Sequence, residues 1–198
     1  MKKRLLLLLF VLLLFTGCGA KEPPTNNPIV TMSFEGFGEI KIELYPNDAY
    51  NTVANFVTLV QSGYYDNNEI TRVQKGFVMQ AGGAKELNYT IKGEFSSNGV
   101  PNNIKHTRGV ISMARSNDPD SANGQFFIML TDYPGLDGKY AAFGKVIEGM
   151  EVIEKIEKTN FRYSDTDYYF LEPSDYIKIN KATVDTKGYK YNVEKIKR

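Results

Sequence analysis

The feature that most constrains the fold is a series of short apolar segments separated by turn-forming residues. The clearest segment is residues 37–44, in which Ile40, Ile42 and Leu44 alternate with charged residues. A period of two gives one buried and one solvated face, as in a β-strand at the border of a core. Further strand-like segments are separated by Gly, Asn, Asp and Pro; they are residues 29–34, 70–73, 77–80, 110–114, 125–130, 141–146 and 176–184.

Two segments have helical spacing instead. In residues 49–62 the apolar positions recur at i, i+3, i+4 and i+7, and Gly63 follows as a stop signal. Residues 149–157 form a second, shorter amphipathic pattern. Many short strands with only two helices predict an all-β domain, a barrel or a sandwich, because closing a sheet removes its exposed edges.

The scarcest residues exclude several kinds of chemistry. The 198 residues include one Cys (Cys18) and one His (His106), too few for an intramolecular disulfide or a structural zinc site. A serine triad would need His106, and no G-x-S-x-G motif accompanies it. The formal net charge of +1 gives no basic face for nucleic acid. We therefore expect no metal, no cofactor and no nucleic-acid partner.

The first 28 residues read as a targeting segment. Residues 2–4 are basic, and residues 5–15 are an apolar run too short to span a membrane but typical of a signal peptide. The Thr-Gly-Cys-Gly that follows resembles the lipobox of bacterial lipoproteins. We predict a signal peptide over residues 1–17, lipidation of Cys18, and a flexible tether over residues 18–28. An uncleaved or differently cleaved export signal is the alternative.

The rest of the chain reads as one domain with two less patterned segments. We predict a folded domain over residues 29–186 and a basic C-terminal tail over residues 187–198. Residues 160–174 are polar and rich in Tyr, which predicts an extended surface loop. The chain shows no internal repeat.

Four blocks of sequence say more than the periodicity does. In order, they are R-V-Q-K-G-F-V-M-Q-A-G-G (residues 72–83), H-T-R-G-V-I-S-M-A-R (106–115), G-Q-F-F-I (124–128) and L-D-G-K-Y-A-A-F-G (136–144). Their order and spacing resemble the cyclophilin family of peptidyl-prolyl isomerases over about residues 29–184. The resemblance implies an eight-stranded antiparallel barrel capped by two helices, which agrees with the strands and helices read above. It also implies a monomer that acts on proline-containing polypeptides without a cofactor.

The resemblance also implies which residues form the active site. Arg72, Phe77 and Gln80 match the catalytic group: the arginine donates to the nitrogen of the twisted amide, and Gln80 bonds the substrate backbone. Seven further positions match substrate-binding residues: Val78, Ala114, Arg115, Gln125, Phe127, Leu136 and Tyr140. Gln125 is expected to support the pocket wall, and His106 receives no catalytic role.

The chain departs from the family pattern at three of these positions and at Gly135. Gly135 stands where many cyclophilins have a Trp that contacts cyclosporin, so sensitivity to that drug stays open. Tyr140 replaces a common His, Val78 a frequent Met, and Arg115 a usual Asn beside the peptide groove.

Three classes of function follow from these observations. The leading hypothesis is a lipid-anchored isomerase at the outer face of a bacterial cell membrane, which assists the folding of exported proteins. The alternative is a non-catalytic chaperone or adhesion module that binds proline-containing peptides on the same fold. A solute-capturing lipoprotein is disfavoured, because a single domain offers no cleft between domains.

Overall fold

The strands close into one barrel. A computed structural model of the chain describes residues 26–83, 85–164 and 170–197. Eight antiparallel strands follow one another around the ring in the order β1-β2-β8-β6-β7-β4-β3-β9. Their bounds are β1 Ile29–Phe34, β2 Gly38–Leu44, β3 Asn68–Gln74, β4 Val78–Ala81, β6 Val110–Met113, β7 Phe126–Met129, β8 Ala142–Glu148 and β9 Ile177–Asp185. The predicted eight-stranded barrel is confirmed.

Alternation along the strands fills the barrel interior. In the β1–β2 pair, Val30 lies opposite Ile42 and Met32 opposite Ile40, and all four side chains are buried. Directly opposed residues of antiparallel strands share a face, so these pairs form adjacent layers of the interior. Thr31 and Lys41, the opposed pair between them, point outward and are partly exposed, as the period of two predicts.

Helix α1, Tyr50–Gln61, packs its apolar side against the barrel. Its Phe56 ring lies 5.1 Å from the ring of Phe143 and 5.4 Å from that of Phe126, centroid to centroid. The carboxylate of Glu94 accepts the backbone N–H of Thr52 at 2.6 Å. A distant acidic residue therefore satisfies the helix start, where local side chains provide no cap.

Helix α2, Met150–Lys158, begins directly after β8. Gly149 joins them at φ 85°, in the left-handed region that suits glycine. A Cβ at this position would meet the backbone oxygen of Glu39 on β2. The close approach of backbone to backbone therefore requires glycine here, one residue before the helix begins.

Two segments carry structure that the sequence did not predict. Residues 196–197 of the tail form a short strand, β10 (Ile196–Lys197), which pairs with β5 (Tyr89–Thr90). Residues 160–164 and 170–174, the described parts of the predicted loop, are not simply an extended surface segment: Tyr163 pairs with Leu171, and Leu171 is 1% exposed. The expectation of an extended surface loop was wrong there, because an apolar side chain on this segment packs into the core.

The predicted signal peptide, Cys18 and most of the tether lie outside the described residues. From Asn27 onward the chain is attached to the barrel, since Asn27 Nδ2 donates to Glu43 at 3.2 Å and the Pro28 carbonyl accepts from Leu44 at 3.0 Å. Among the described residues, no helix has the length and apolar character needed to cross a bilayer.

Candidate active site

One row of residues crosses four neighbouring strands on the outside of the barrel. Arg72 on β3 lies opposite Gln80 on β4, Gln80 lies opposite Phe127 on β7, and Phe127 lies opposite Ser112 on β6. Because opposed residues share a face, these four side chains point the same way. Their chain neighbours point into the core instead; these are Val73, Met79, Ile128 and Ile111.

The Arg72 guanidinium is oriented by glutamines. Nη2 donates to Gln74 Oε1 at 2.6 Å, and Nη1 donates to Gln80 Oε1 at 3.3 Å. Gln80 in turn donates from Nε2 to Gln125 Oε1 at 3.0 Å. Gln125 thus sets the orientation of the Gln80 amide so that its oxygen faces the arginine. A planar guanidinium held at two nitrogens keeps one orientation.

An apolar slot lies beside the guanidinium, separate from the barrel interior. A second hydrophobic cluster forms its floor, with Phe127 only 5% exposed. The buried residues of this cluster are Val78, Val110, Phe127, Met129 and Ala142, of which Val78 and Phe127 line the slot; the partly buried residues around them include Phe77, Ala114, Leu136 and Tyr140. The alternation of apolar and polar residues along a strand does not show that these apolar side chains face the slot and not the barrel interior.

A buried polar group lies beneath the slot. The His106 ring stacks on Phe127 with centroids 6.2 Å apart and an interplanar angle of 21°. Its Nδ1 lies 3.1 Å from Asp137 Oδ1, and its Nε2 lies 3.2 Å from Ser112 Oγ. Burial lowers the pKa of the His106 imidazole, although Asp137 opposes that effect. His106 therefore holds Phe127 from behind and does not line the cavity.

For the Asp137 carboxyl, hydrogen bonds outweigh burial. Burial by itself raises the pKa of this carboxyl, but hydrogen bonds from the His106 backbone and ring and from Lys105 lower it by more, so that the net pKa is below the ordinary value. Asp137 thus stays ionised and fixes the imidazole.

The rim of the slot is formed by two of the residues that depart from the family pattern. Arg115 Cζ lies 4.6 Å from the Tyr140 ring centroid and 5.1 Å from that of Phe95. Its Nη2 donates to the Lys139 carbonyl at 2.8 Å. Tyr140 meets the floor edge-to-face, with its ring centroid 5.7 Å from that of Phe127. The Arg115 charge therefore lies over aromatic rings at the rim.

Tyr133 occupies the space beside Gly135. A Cβ on Gly135 would lie 2.7 Å from the Tyr133 ring. The same ring meets Phe77 edge-to-face at 5.0 Å and is 47% exposed. An aromatic ring thus borders Phe77 although residue 135 has no side chain, and sequence reasoning did not find it.

The cavity brings together nine of the ten site positions expected from the sequence. Its volume is about 210 Å³, below the roughly 300–1,000 Å³ usual for drug-sized ligands. Its lining comprises Arg72, Phe77, Val78, Gln80, Ala114, Arg115, Phe127, Leu136, Tyr140 and Phe170. Gln125 lies behind Gln80 and lines a neighbouring groove of about 380 Å³.

Sequence reasoning missed two residues that touch Arg72. Gln74 could have been found, because residues two apart on a strand share a face. Phe170 gave no signal, because it belongs to a segment with no regular pattern. Within the described part of the chain, no group of three or more His, Cys, Asp or Glu is placed to hold a metal ion.

Comparison with known proteins agrees with this geometry. The family model described as cyclophilin type peptidyl-prolyl cis-trans isomerase/CLD matches residues 29–184. Peptidyl-prolyl cis-trans isomerase A of Dickeya dadantii is 37% identical over 169 residues, covering 80% of this chain and 86% of that protein. Peptidyl-prolyl cis-trans isomerase CYP23 of Arabidopsis thaliana is 36% identical over 156 residues, which cover 72% of this chain and 65% of that longer protein.

Solved structures share the fold. A crystal structure of a cyclophilin type peptidyl-prolyl cis-trans isomerase of Cryptosporidium parvum aligns with a TM-score of 0.67 and 28% identity, covering 80% of this chain and 98% of that one. The same protein, crystallised in the presence of the dipeptide Ala-Pro, aligns with a TM-score of 0.65 and 27% identity over 79% of this chain and 98% of that one.

Proposed function

Because this chain belongs to the cyclophilin family of peptidyl-prolyl cis-trans isomerases, we propose that it isomerises X-Pro bonds of exported proteins in the slot beside Arg72. The observation that carries this proposal is that one cavity contains both the half-buried guanidinium of Arg72 and an apolar floor. The Ala-Pro dipeptide present with the Cryptosporidium parvum relative indicates the class of ligand. A proline ring fits a slot of this size.

The reaction requires only a change in amide geometry. Resonance gives an amide a rotation barrier of about 18–20 kcal/mol, and uncatalysed X-Pro exchange takes tens to hundreds of seconds. A catalyst must therefore bind the twisted amide more tightly than either planar form. As the bond twists, the lone pair of the nitrogen localises and becomes a hydrogen-bond acceptor.

The residues around the cavity supply the two parts of such a catalyst. The floor at Phe127 and Val78 holds the proline ring, so that the group before the proline rotates against a fixed side. Arg72 then donates to the localised lone pair, an interaction that exists mainly in the transition state. The apolar floor lowers the local dielectric and strengthens that bond. Gln80 forms a hydrogen bond with the substrate backbone, and Gln125 holds the Gln80 side chain in place.

The proposed place of action is the outer face of a bacterial cell membrane. The support is the sequence of residues 1–18, with its basic start, apolar run and lipobox-like cysteine. Lipidation of Cys18 would anchor the barrel to the membrane through residues 18–28. At this membrane face exported chains emerge unfolded, and their prolines are accessible.

An exchange assay with matched arginine variants tests the proposed site. We expect the full-length protein to accelerate cis-trans exchange of a short Ala-Pro-Phe peptide, measured by NMR. Arg72→Ala should lower kcat/KM by about 10²-fold, the usual cost of losing a transition-state donor. Arg72→Lys should also be impaired, because a point charge does not replace the planar group.

Arg108→Lys is the matched control for these variants. Arg108 bonds Glu157 at 3.3 Å and the Leu130 carbonyl, outside the cavity, and its variant should keep wild-type kcat/KM. Equal kcat/KM for Arg72→Ala and wild type would remove Arg72 from the proposed role. Peptide binding without any acceleration by the wild type would favour the non-catalytic binding module.

A further inference from the structure

The described parts of the segment after α2, residues 160–164 (the first arm) and 170–174 (the second arm), add structure next to the proposed active site. The two arms pair with each other: Tyr163 faces Leu171, and Ser164 N–H donates to the Phe170 carbonyl at 2.9 Å. The pairing continues at Glu172, whose N–H donates to the Arg162 carbonyl at 2.9 Å. The proposed mechanism assigns this segment no role.

The second arm extends the sheet beside the catalytic arginine. Strand β9 pairs with β3 only as far as Ile70. Beyond that point Leu171 N–H donates to the Thr71 carbonyl at 2.8 Å, and Phe170 pairs with Arg72. The arm therefore takes the place of β9 along the half of β3 that carries the guanidinium.

Side chains anchor both arms. Leu171 is 1% exposed and belongs to the barrel core. Tyr163 Oη donates to the Val73 carbonyl at 3.0 Å. Arg162 and Asp175 close the base of the segment, with Nη2 and Oδ1 2.6 Å apart. Phe170 is thus presented by a segment fixed to the barrel.

Phe170 points to the opposite side from Leu171 and enters the cavity. Its ring lines the slot on the arginine side, half-exposed, with its centroid 6.0 Å from Arg72 Cζ. The proline floor lies elsewhere, at Val78 and Phe127. The cavity therefore has a second apolar wall, the Phe170 ring, which a proline ring bound on the floor does not cover.

We propose that Phe170 is a specificity-determining residue, selecting peptides with an aromatic or large apolar side chain next to the proline. This inference rests on the proposed function, because the peptide occupies the same slot. With the reacting amide at Arg72, a side chain on a flanking residue reaches the exposed face of the Phe170 ring. An aromatic contact of this kind changes affinity several-fold, up to about tenfold.

Three peptides that differ only beside the proline test the proposal. They contain Ala-Pro-Ala, Phe-Pro-Ala or Ala-Pro-Phe in one flanking sequence, and for each peptide Kd is measured by NMR titration and exchange by NMR line shape. We expect the full-length protein to bind one of the two Phe peptides five- to tenfold more tightly than Ala-Pro-Ala. Phe170→Ala should reduce that preference below twofold, and Phe170→Leu should keep most of it.

Controls separate specificity from a merely structural role. Tyr189→Ala removes a ring that contacts Tyr50 on α1 and does not line the cavity, and this variant should keep the preference. Arg72→Ala should lose exchange but keep the binding preference, so the two proposals fail separately. Equal binding of all three peptides by the wild type would overturn the inference. A uniform loss of exchange in Phe170→Ala with an unchanged preference would overturn it too, since Phe170 would then only position Arg72.

Discussion

At the scale of single residues, Phe127 separates a reactive surface from a buried polar group. Its ring lines the slot and also stacks on the buried His106 imidazole. The imidazole is 2% exposed and is held by Asp137 and Ser112. The geometry of the slot therefore depends on a histidine that never meets substrate, and its protonation affects folding rather than chemistry.

The buried imidazole predicts a loss of stability in mild acid. The pKa of His106 is lower in the folded protein than its ordinary value of 6.5, so the unfolded chain binds the proton more readily. The free energy of unfolding should therefore be highest above pH 6.5 and fall as the pH drops toward the folded-state pKa, by up to about 1.4 kcal/mol per pH unit.

Urea unfolding at pH 7.0 and 5.5 measures this effect. His106 is the only histidine in the chain, and the carboxyls titrate mainly below this range. His106→Asn should therefore lower stability at pH 7.0 and flatten the change between the two pH values. An equal change in wild type and variant would show that His106 is not the titrating group.

At the scale of elements, the C-terminal tail is a strap over α1 rather than an appendage. The Tyr191 and Tyr189 rings lie 6.0 and 6.5 Å from that of Tyr50 on α1. Asn51 and Glu194 exchange two hydrogen bonds, at 2.7 and 2.9 Å. Burial raises the pKa of Tyr191 to about 12, which reflects a phenol enclosed by its neighbours. The strap lies beyond residue 184, where the match to the family model ends.

Two substitutions at Tyr191 separate packing from hydrogen bonding. Tyr191→Ala should lower the free energy of unfolding by about 1–2 kcal/mol, because it removes aromatic contacts from a half-buried site. Tyr191→Phe should not lower it, since Tyr191 Oη is buried with no hydrogen-bond partner among the described residues. Chemical denaturation monitored by circular dichroism measures both. A loss in Tyr191→Phe equal to that in Tyr191→Ala would place the stabilisation in the hydroxyl.

At the scale of the whole molecule, barrel order sets how the site faces relative to the start of the chain. Strand β1, the first strand of the chain, lies across the eight-strand ring from β7, which carries Phe127. The slot opens on the outer face of the strands around β7. In a barrel anchored through the predicted tether, the strand nearest the anchor would therefore lie on the opposite side of the barrel from the slot.

Anchoring and catalysis are therefore expected to be separable. Cys18→Ser should abolish incorporation of a fatty-acid analogue in a bacterial host and move the protein out of the membrane fraction. Its kcat/KM on a short X-Pro peptide should stay within twofold of wild type, because every residue that lines the slot lies between Arg72 and Phe170, far along the chain from Cys18. Labelling that persists in Cys18→Ser, the variant of the only cysteine, would contradict lipidation at this position.

What the sequence by itself determined was local or carried by motifs. The alternation in residues 37–44 and the helical spacing in residues 49–62 predict β2 and α1, since strand and helix periodicity depend on near neighbours. The ordered blocks from Arg72 to Tyr140 predicted nine of the ten residues that line the cavity.

Tertiary structure alone decided the contacts that no local pattern encodes. Phe170 reaches Arg72 because β9 leaves the edge of β3 open, and Glu94 caps α1 from a separate loop. The Tyr133 ring meets Phe77, and the tail pairs with β5 in a small sheet outside the barrel. Each of these contacts joins groups that lie far apart in the chain, and the burial and hydrogen bonds gained there stabilise conformations for which the local sequence has no preference of its own.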